Sequence, residues 1–227
     1  MKLSIIVPVF NEKDTIEEIL KRVESVILPL EKEVVVVDDC SNDGTKDILR
    51  KIKKAHQFIL KEHSKNQGKG DAIKTGLGII SGDIVLIQDA DLEYDPKDYN
   101  LLIQPFLKEE AEAVYGSRIL KKNPHSTELY FLGGRLLTLL FNFIYGAKIT
   151  DINTGYKVIK KDVLLGLNLK EKRFAFCEEV TAKLVKKGIT IKEVPINYYP
   201  RNFSKGKKIR WWRDGFRSVW AMLKNRF

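Results

Sequence analysis

Cysteine is nearly absent. Cys40 and Cys177 stand far apart and outside any CxxC or Cys/His spacing, which excludes a disulfide framework and suggests no zinc site. The compartment this implies is the reducing cytosol. A long hydrophobic run is missing too: the longest apolar stretch, Leu129 to Ala147, approaches the roughly 20 residues of a membrane span. Arg135 and Asn142 interrupt it and glycines weaken it, so the expectation is a buried or interfacial helix and no transmembrane span. The N-terminal MKLSIIVPVFNE has one lysine and no small-residue cleavage site, the pattern of a first strand and not of a signal peptide. Nucleotide fingerprints are lacking as well. PVFNE stands where a GxGxxG would follow the first strand, no GxxxxGK[ST] occurs, and GKGDAIKTG (68–76) is only a superficial likeness, which argues against NAD and P-loop nucleotides.

What is present is a chain of 227 residues with 44% apolar content, ordinary for one soluble domain with or without an appendage. Its charge is divided unevenly. Residues 1–117 carry 16 Lys+Arg against 22 Asp+Glu, and residues 118–227 carry 24 against 8. A basic half attracts phosphates, anionic lipid or nucleic acid, whereas an acidic half with clustered carboxylates suits a metal ion.

The hydropathy pattern alternates. Leu3–Val9, Glu33–Val37 (EVVVV), Phe58–Leu60, Asp83–Ile87 and Ala113–Tyr115 read as strands, and Asp14–Val26, Asp43–Lys54, Lys69–Ile80 and Pro96–Lys108 as helices. This predicts an α/β, doubly wound, mostly parallel, Rossmann-like sheet flanked by helices. Further on, Thr127–Tyr145 and Cys177–Lys187 read as helices, Thr154–Ile159 as a strand and Lys192–Tyr199 as extended, and Ile209–Leu223 as an amphipathic helix. In such sheets ligands sit beyond the carboxyl ends of the strands. Three polar clusters fall there: Pro8–Glu12, Asp38–Gly44 and Gln88–Pro96 (QDADLEYDP).

The last cluster places acids at Asp89, Asp91, Glu93 and Asp95. An EF-hand counted from Asp89 would need Gly at 94 and Glu at 100, where Tyr94 and Asn100 stand, so a calcium loop is excluded. What remains is Mg2+ or Mn2+ bridging carboxylate and substrate phosphates. Asp89 and Asp91, two apart at a strand end, point to one side and can act together. Asp95, before Pro96, reads as a helix cap.

VPVFNE (7–12), VVDDCSNDGT (36–45), NQGKGDAIKTG (66–76), QDADLEYDP (88–96) and YGSR (115–118), continued by NTGYKVIK (153–160), EVTAKL (179–184), EVPINYYPR (193–201) and GKKIRWWRDG (206–215), together resemble a family 2 glycosyltransferase of the GT-A fold, in the branch like dolichol-phosphate mannose synthase. The resemblance implies a single catalytic domain over 1–200, with a nucleotide-sugar and metal half (1–117) and an acceptor half (118–200), followed by a basic, Trp-rich amphipathic segment, 201–227. It implies that Pro8, Phe10 and Glu12 line the nucleotide site, and that Val37 and Asp39 hold base and ribose. Asp38 either helps or satisfies backbone amides. Asp89 and Asp91 would be the DxD metal pair with Ala90 near the diphosphate, Glu93 would reach metal or sugar, and Arg118 would meet phosphate.

The implied reaction is metal-dependent inverting transfer of a sugar, mannose or glucose, from a GDP- or UDP-sugar to a polyprenyl phosphate. An already anionic phosphate needs no strong base. A sugar hydroxyl as acceptor would need one, and Glu179 is then the candidate, with a helix-start role as its alternative. Arg135, Arg201, Lys205, Lys207 and Lys208 suit a lipid phosphate. The 129–145 helix and Trp211, Trp212 and Trp220 suit an anionic bilayer surface on the cytosolic face, unless those aromatics simply pack on the core. Two other classes stay open at this point, a nucleotidyltransferase and a nucleic-acid-binding module, although no nucleic-acid partner is expected. The oligomeric state has no signature in the sequence.

Overall fold

The computed structural model describes residues 1–108, 111–125, 127–173, 175–201 and 211–226, the last segment with side chains from 215 onward. Seven strands form one sheet: β1 (Lys2–Val9), β2 (Glu31–Asp38), β3 (Ile59–Glu62), β4 (Ile84–Ile87), β5 (Ala113–Ser117), β6 (Lys157–Lys160) and β7 (Ile191–Pro195). Their order is β3-β2-β1-β4-β6-β5-β7. The continuous apolar runs of β1, β2 and β4 become the buried centre, as expected for strands covered on both faces. β1 pairs in parallel with β2 from Lys2↔Glu31 to Val9↔Asp38, and with β4 from Leu3↔Ile84 to Ile6↔Ile87. The chain first winds from β1 outward to β3 and then returns to place β4 on the other side of β1. This reversal opens a crevice at the carboxyl ends of β1 and β4.

β6 departs from the parallel pattern, running antiparallel to both β4 and β5. Its apolar sequence is indifferent to direction, so nothing in the hydropathy pattern announced this. The consequence is positional: the loop entering β6, residues 151–156, lies at the same sheet end as the loops leaving β4 and β5.

Helices cover both faces. On one, α1 (Ile16–Ser25), α2 (Thr45–Ile52) and α4 (Tyr99–Lys108) bury Ile16, Ile19, Leu20, Val23, Leu49, Leu102 and Phe106 against Leu3, Ile5, Val7 and Val36. The opposite face receives α3 (Lys69–Leu77), α6 (Lys161–Leu165) and α7 (Phe176–Lys186) through Ile73, Leu77, Leu164, Val180 and Leu184. A third cluster joins α5 (Glu128–Tyr145), α7 and α8 (Trp211–Arg226) through Phe141, Ala182 and Met222, where the Tyr145 hydroxyl donates to Met222 O at 2.6 Å. The five-residue α6 had no signal in the sequence. The 96–108 helix begins as a 3-10 turn, Pro96–Asp98, capped by the Asp95 carboxylate accepting from Lys97 N; the cap role expected of Asp95 is therefore met. Among the described residues no helix is long and apolar enough to cross a membrane.

At the far end of the sheet Glu33 ties three segments. Its carboxylate accepts from Ser4 Oγ at 2.5 Å, Ser81 N at 2.6 Å and Ser81 Oγ at 2.8 Å, and pairs with Lys2 at 2.9 Å. Burial alone would raise its pKa, but these partners outweigh it and hold the group at about 2, below its ordinary 4.5. A depressed folded pKa contributes stability above the unfolded value and loses it as pH falls from 4.5 toward 2, on the order of 2–3 kcal/mol in all. Glu33→Gln will therefore lower Tm at pH 7, and the gap to wild type will narrow as pH falls from 4.5 toward 2 in a calorimetric series.

Candidate active site

Each of the three loops leaving β1, β2 and β4 contains a non-glycine residue with positive φ: Asn11 (52°), Cys40 (63°) and Leu92 (62°). Such backbone costs on the order of 1 kcal/mol or more and persists only where surrounding bonds impose it. Those bonds are present. Asn11 N donates to Ser41 Oγ, Asn42 N to Asn11 Oδ1 and Glu12 N to Thr45 Oγ1, each at 2.9 Å. Gln88, fully buried, accepts from the Tyr99 and Tyr156 hydroxyls at 2.6 and 2.8 Å and donates to Asp89 O at 2.8 Å, fixing the backbone where the acidic run begins. The 151–156 loop closes against it. Gly155 N donates to Tyr94 Oη at 2.8 Å, and a Cβ at Gly155 would stand 2.5 Å from Asp89 Oδ2, so only glycine lets this backbone approach the carboxylate. Lys157, buried, holds the same loop by donating to Ile152 O and Thr154 O at 2.9 and 2.8 Å.

The acids that these loops bring together are matched with cations from distant parts of the chain. Asp89 pairs with Lys69, first residue of α3, at 2.5 Å; burial alone would lower the Lys69 pKa, but Asp89 outweighs it and raises it. The Arg201 guanidinium reaches Glu12 Oε2 and Asp91 Oδ2, both at 3.0 Å. Glu93 accepts from Tyr198 Oη at 2.8 Å and from Arg201 N at 2.9 Å. Asp91 is pushed up to about 7, by burial first and then by the Asp89 and Glu93 carboxylates, against the pull of Arg201. Among the described residues the cluster is thus four carboxylates against two cations. Among the described residues no three His, Cys, Asp or Glu side chains form a metal cage.

Beside it, Arg118 at the end of β5 is clamped by Asp151: Nε to Oδ2 at 2.7 Å, Nη2 to Oδ1 at 2.8 Å and backbone N to Oδ2 at 3.1 Å. Burial would lower the arginine's pKa, but Asp151 dominates and raises it further, and burial's upward push on Asp151 is likewise overcome by Arg118. The guanidinium also lies 5.0 Å above the Tyr198 ring, a cation–π distance.

All of this borders a cavity of about 1040 Å³, at the upper end of small-molecule sites. Of the residues singled out from sequence, Pro8, Phe10, Glu12, Asp39, Asp89, Ala90, Asp91, Glu93, Arg118, Arg135 and Arg201 line it. Lys205, Lys207 and Lys208, and the Trp211 and Trp212 side chains, lie outside what is described. Two expectations are corrected. Val37 is fully buried in the core beneath α3, packed among Ala72, Ile73 and Leu77, and does not line the cavity. Glu179 is not at the cavity either: it accepts from Lys170 N, Glu171 N and Lys183 Nζ at 2.9–3.0, 2.8 and 2.6 Å. Burial would raise its pKa, but these donors outweigh it and lower it, and Glu179 anchors the 170–171 loop. Its neighbour Glu178, with Cys177, lines the cavity instead; it is 3% exposed, its Oε2 has no partner among the described residues, and burial, opposed by a hydrogen bond with Ser218, raises its pKa.

Asp39 reaches the cavity with its carboxylate already bonded, Oδ1 to His63 Nδ1 at 2.7 Å and Gln67 N at 2.8 Å, and Oδ2 to Gly68 N at 2.7 Å. It shapes the 66–68 turn, where Gly68 has φ +98°. Asp38 is fully buried, with one oxygen accepting from Ser41 N and the other without a partner among the described residues. Lys69, Asp151, Glu178 and Tyr198 escaped the sequence reading. Lys69 sat in a glycine-flanked run dismissed as a poor P-loop, and the rest act through contacts that spacing does not encode.

Comparison with known proteins agrees with the fold. In sequence, the chain is 29% identical over 206 residues to a dolichol-phosphate mannosyltransferase of Pyrococcus furiosus, covering 87% of this chain but 56% of that one; it therefore spans little more than half of that relative's length. It is 27% identical over 244 residues to a UDP-N-acetylglucosamine–dolichyl-phosphate N-acetylglucosaminyltransferase of Methanococcus voltae, covering 96% of this chain and 94% of that one. In structure, it superposes with a TM-score of 0.75 on the Mycobacterium tuberculosis glucosyl-3-phosphoglycerate synthase solved with Mn2+, UDP and phosphoglyceric acid, at 19% identity over 99% of this chain and 78% of that one, which establishes the GT-A architecture. Residues 4–165, from the third residue of β1 through α6, match the family description itself, and the chain belongs to glycosyl transferase family 2.

Proposed function

We propose that this glycosyltransferase moves a sugar from a GDP- or UDP-sugar to a polyprenyl phosphate with the help of Mg2+ or Mn2+ held by Asp89 and Asp91. The residues fit such an ion. Among the described residues the cations paired with these four carboxylates are Lys69 and Arg201, two positive charges against four negative when all are ionised. Hard divalent cations take one or two protein carboxylates and complete their shell with phosphate and water. When bound, the ion supplies Lewis-acid neutralisation of the departing diphosphate. The chain's own residues do the rest: Pro8, Phe10 and the Asp39-built turn form the nucleotide wall, and Lys69 and Arg118 present positive charge to phosphates.

One observation carries the choice of acceptor. Six of the seven described carboxylates lining the cavity are committed: Glu12 and Asp91 to Arg201, Asp39 to its turn, Asp89 to Lys69, Glu93 to Tyr198, and Asp151 to Arg118; Glu178 is the seventh. With those six engaged, an acceptor whose oxygen is already anionic, and so needs no base, is favoured. The apolar end of the cavity, with Leu132, Leu136, Phe216 and Val219, suits a prenyl chain, and Arg135 beside it suits the phosphate. The test is a panel of GDP-mannose, UDP-glucose and UDP-N-acetylglucosamine with polyprenyl phosphate or the corresponding polyprenol. Transfer to the phosphate alone, with nucleoside diphosphate released, is expected; transfer to glycan hydroxyls without transfer to the phosphate would refute the reading.

Peripheral attachment to a bilayer accompanies this proposal. Leu132, Leu136, Leu139 and Phe143 on α5 and Phe216 and Trp220 on α8 are 59–88% exposed, at helical spacing. Burying such side chains in an interface contributes about 1.5–3 kcal/mol each. Leu139→Glu combined with Phe143→Glu should weaken cosedimentation with anionic vesicles at least tenfold, and unchanged binding would remove the bilayer from the account.

A further inference from the structure

The Arg201 guanidinium is the cation at three carboxylates at once. It lies 3.0 Å from both Glu12 Oε2 and Asp91 Oδ2, and its Nε is 3.9 Å from Glu93 Oε1. That last distance is too long for a hydrogen bond, and Nε is buried without an acceptor among the described residues. The grip is therefore incomplete, although the backbone leading to it is well anchored. Tyr198 bridges Tyr94, Tyr199 N donates to Glu93 O at 2.8 Å and Arg201 N donates to Glu93 Oε1 at 2.9 Å. The strand-end acids hold residue 201 in place, and the side chain then reaches Asp91.

We propose that Arg201 is a resident counter-ion at the metal site: it holds Glu12 and Asp91 until a divalent ion takes Asp91, and the guanidinium released then becomes a donor for the nucleoside diphosphate. The inference rests on the metal role proposed for Asp91. Asp91 Oδ2 cannot serve a divalent ion and a guanidinium 3.0 Å away without strong repulsion in a poorly solvated site. Lys69 is paired with Asp89 and Arg201 with Asp91, so Arg201 is the cation that has to move at Asp91. A planar guanidinium matches phosphate oxygens two at a time, so metal and nucleotide would enter cooperatively, each relieving a cost of the other.

The test is Mn2+ titration of the full chain at pH 8, followed by the EPR signal of free Mn2+, on wild type, Arg201→Met and Asp91→Asn. Without nucleotide, Arg201→Met should bind Mn2+ at least tenfold more tightly than wild type; with saturating GDP or UDP that advantage should vanish or reverse. Equal or weaker Mn2+ binding by Arg201→Met without nucleotide overturns the inference. Loss of the site in Asp91→Asn together with unchanged affinity in Arg201→Met would sink the counter-ion role alone, whereas saturable binding untouched by Asp91→Asn would sink the metal reading beneath it. Should Arg201→Met fail to fold, the wild type supplies its own readout through the Arg201 Nε–Hε NMR signal, assigned by its loss in Arg201→Lys. That signal should move saturably with Mg2+, and a stationary signal overturns the proposal.

Discussion

Asp91→Asn will cut sugar transfer roughly 10²- to 10³-fold, the loss seen when one preorganised electrostatic contact to a developing charge is removed, while making the metal-free protein more heat-stable at alkaline pH. The two effects have opposite signs because they come from the same crowding. Asp91 is buried beside Asp89 and Glu93, and its pKa stands at about 7 against an ordinary 3.8. A raised folded pKa in an acid means that the stability tied to the neutral form is fully present below 3.8 and is lost as pH rises through about 7. A displacement of this size corresponds to at most ~4 kcal/mol, and asparagine, never ionised, avoids the penalty but gives up the charge on Arg201. For a chain of this length each kcal/mol is about 2–4 °C in Tm. The expectation is a gain of about 5 °C for Asp91→Asn at pH 8 without divalent ions, shrinking to nothing by pH 4. A lower Tm at pH 8 would show that the contact with Arg201 outweighs the crowding. Added Mn2+ should raise the Tm of wild type alone.

Asp151→Asn should be the most damaging single substitution for stability in this region. Asp151 gives Arg118 two side-chain bonds and one backbone bond, and its neutralisation leaves a guanidinium only 22% exposed without its counter-charge. Removing one partner of such a pair costs about 3–5 kcal/mol; the partial opening of Arg118 to the cavity places the expectation near the lower end, with Tm falling by about 6–12 °C. Removing both charges should be milder. Asp151→Asn combined with Arg118→Met should recover part of the loss, and a double variant as unstable as the sum of the singles would mean that the pair is not coupled. Transfer activity should stay low in both, since Arg118 faces the cavity.

Much of the scaffold was legible in the sequence, for identifiable reasons. EVVVV and SIIVPV announce buried parallel strands because such strands are apolar on both faces, and helix α1 is visible in the spacing of Ile16, Ile19, Leu20 and Val23. The cap at Asp95 follows from an acid preceding Pro96. The approximate site followed too, since α/β sheets place ligands at strand carboxyl ends, and Asp89 and Asp91 stand at one. The direction of β6 was not legible, because VIK is as apolar read backward. Nor was the choice between Glu178 and Glu179: neighbours on a helix differ by about 100°, and which one meets the cavity depends on how α7 settles on the sheet.

By itself, then, the sequence determined the alternation of strands and helices, the acids at the end of β4 and the family to which the chain belongs. Only the tertiary structure decided which charges meet. Arg201 reaches Asp91 across 110 residues and Arg118 meets Asp151 across 33, and no periodicity encodes such pairs. Hydrophobic patterning is local and repeats along the chain, whereas an ion pair is specified by where the folded backbone brings two side chains. The working chemistry of this site, including which carboxylates are engaged and which cation stands at Asp91, was therefore settled by folding.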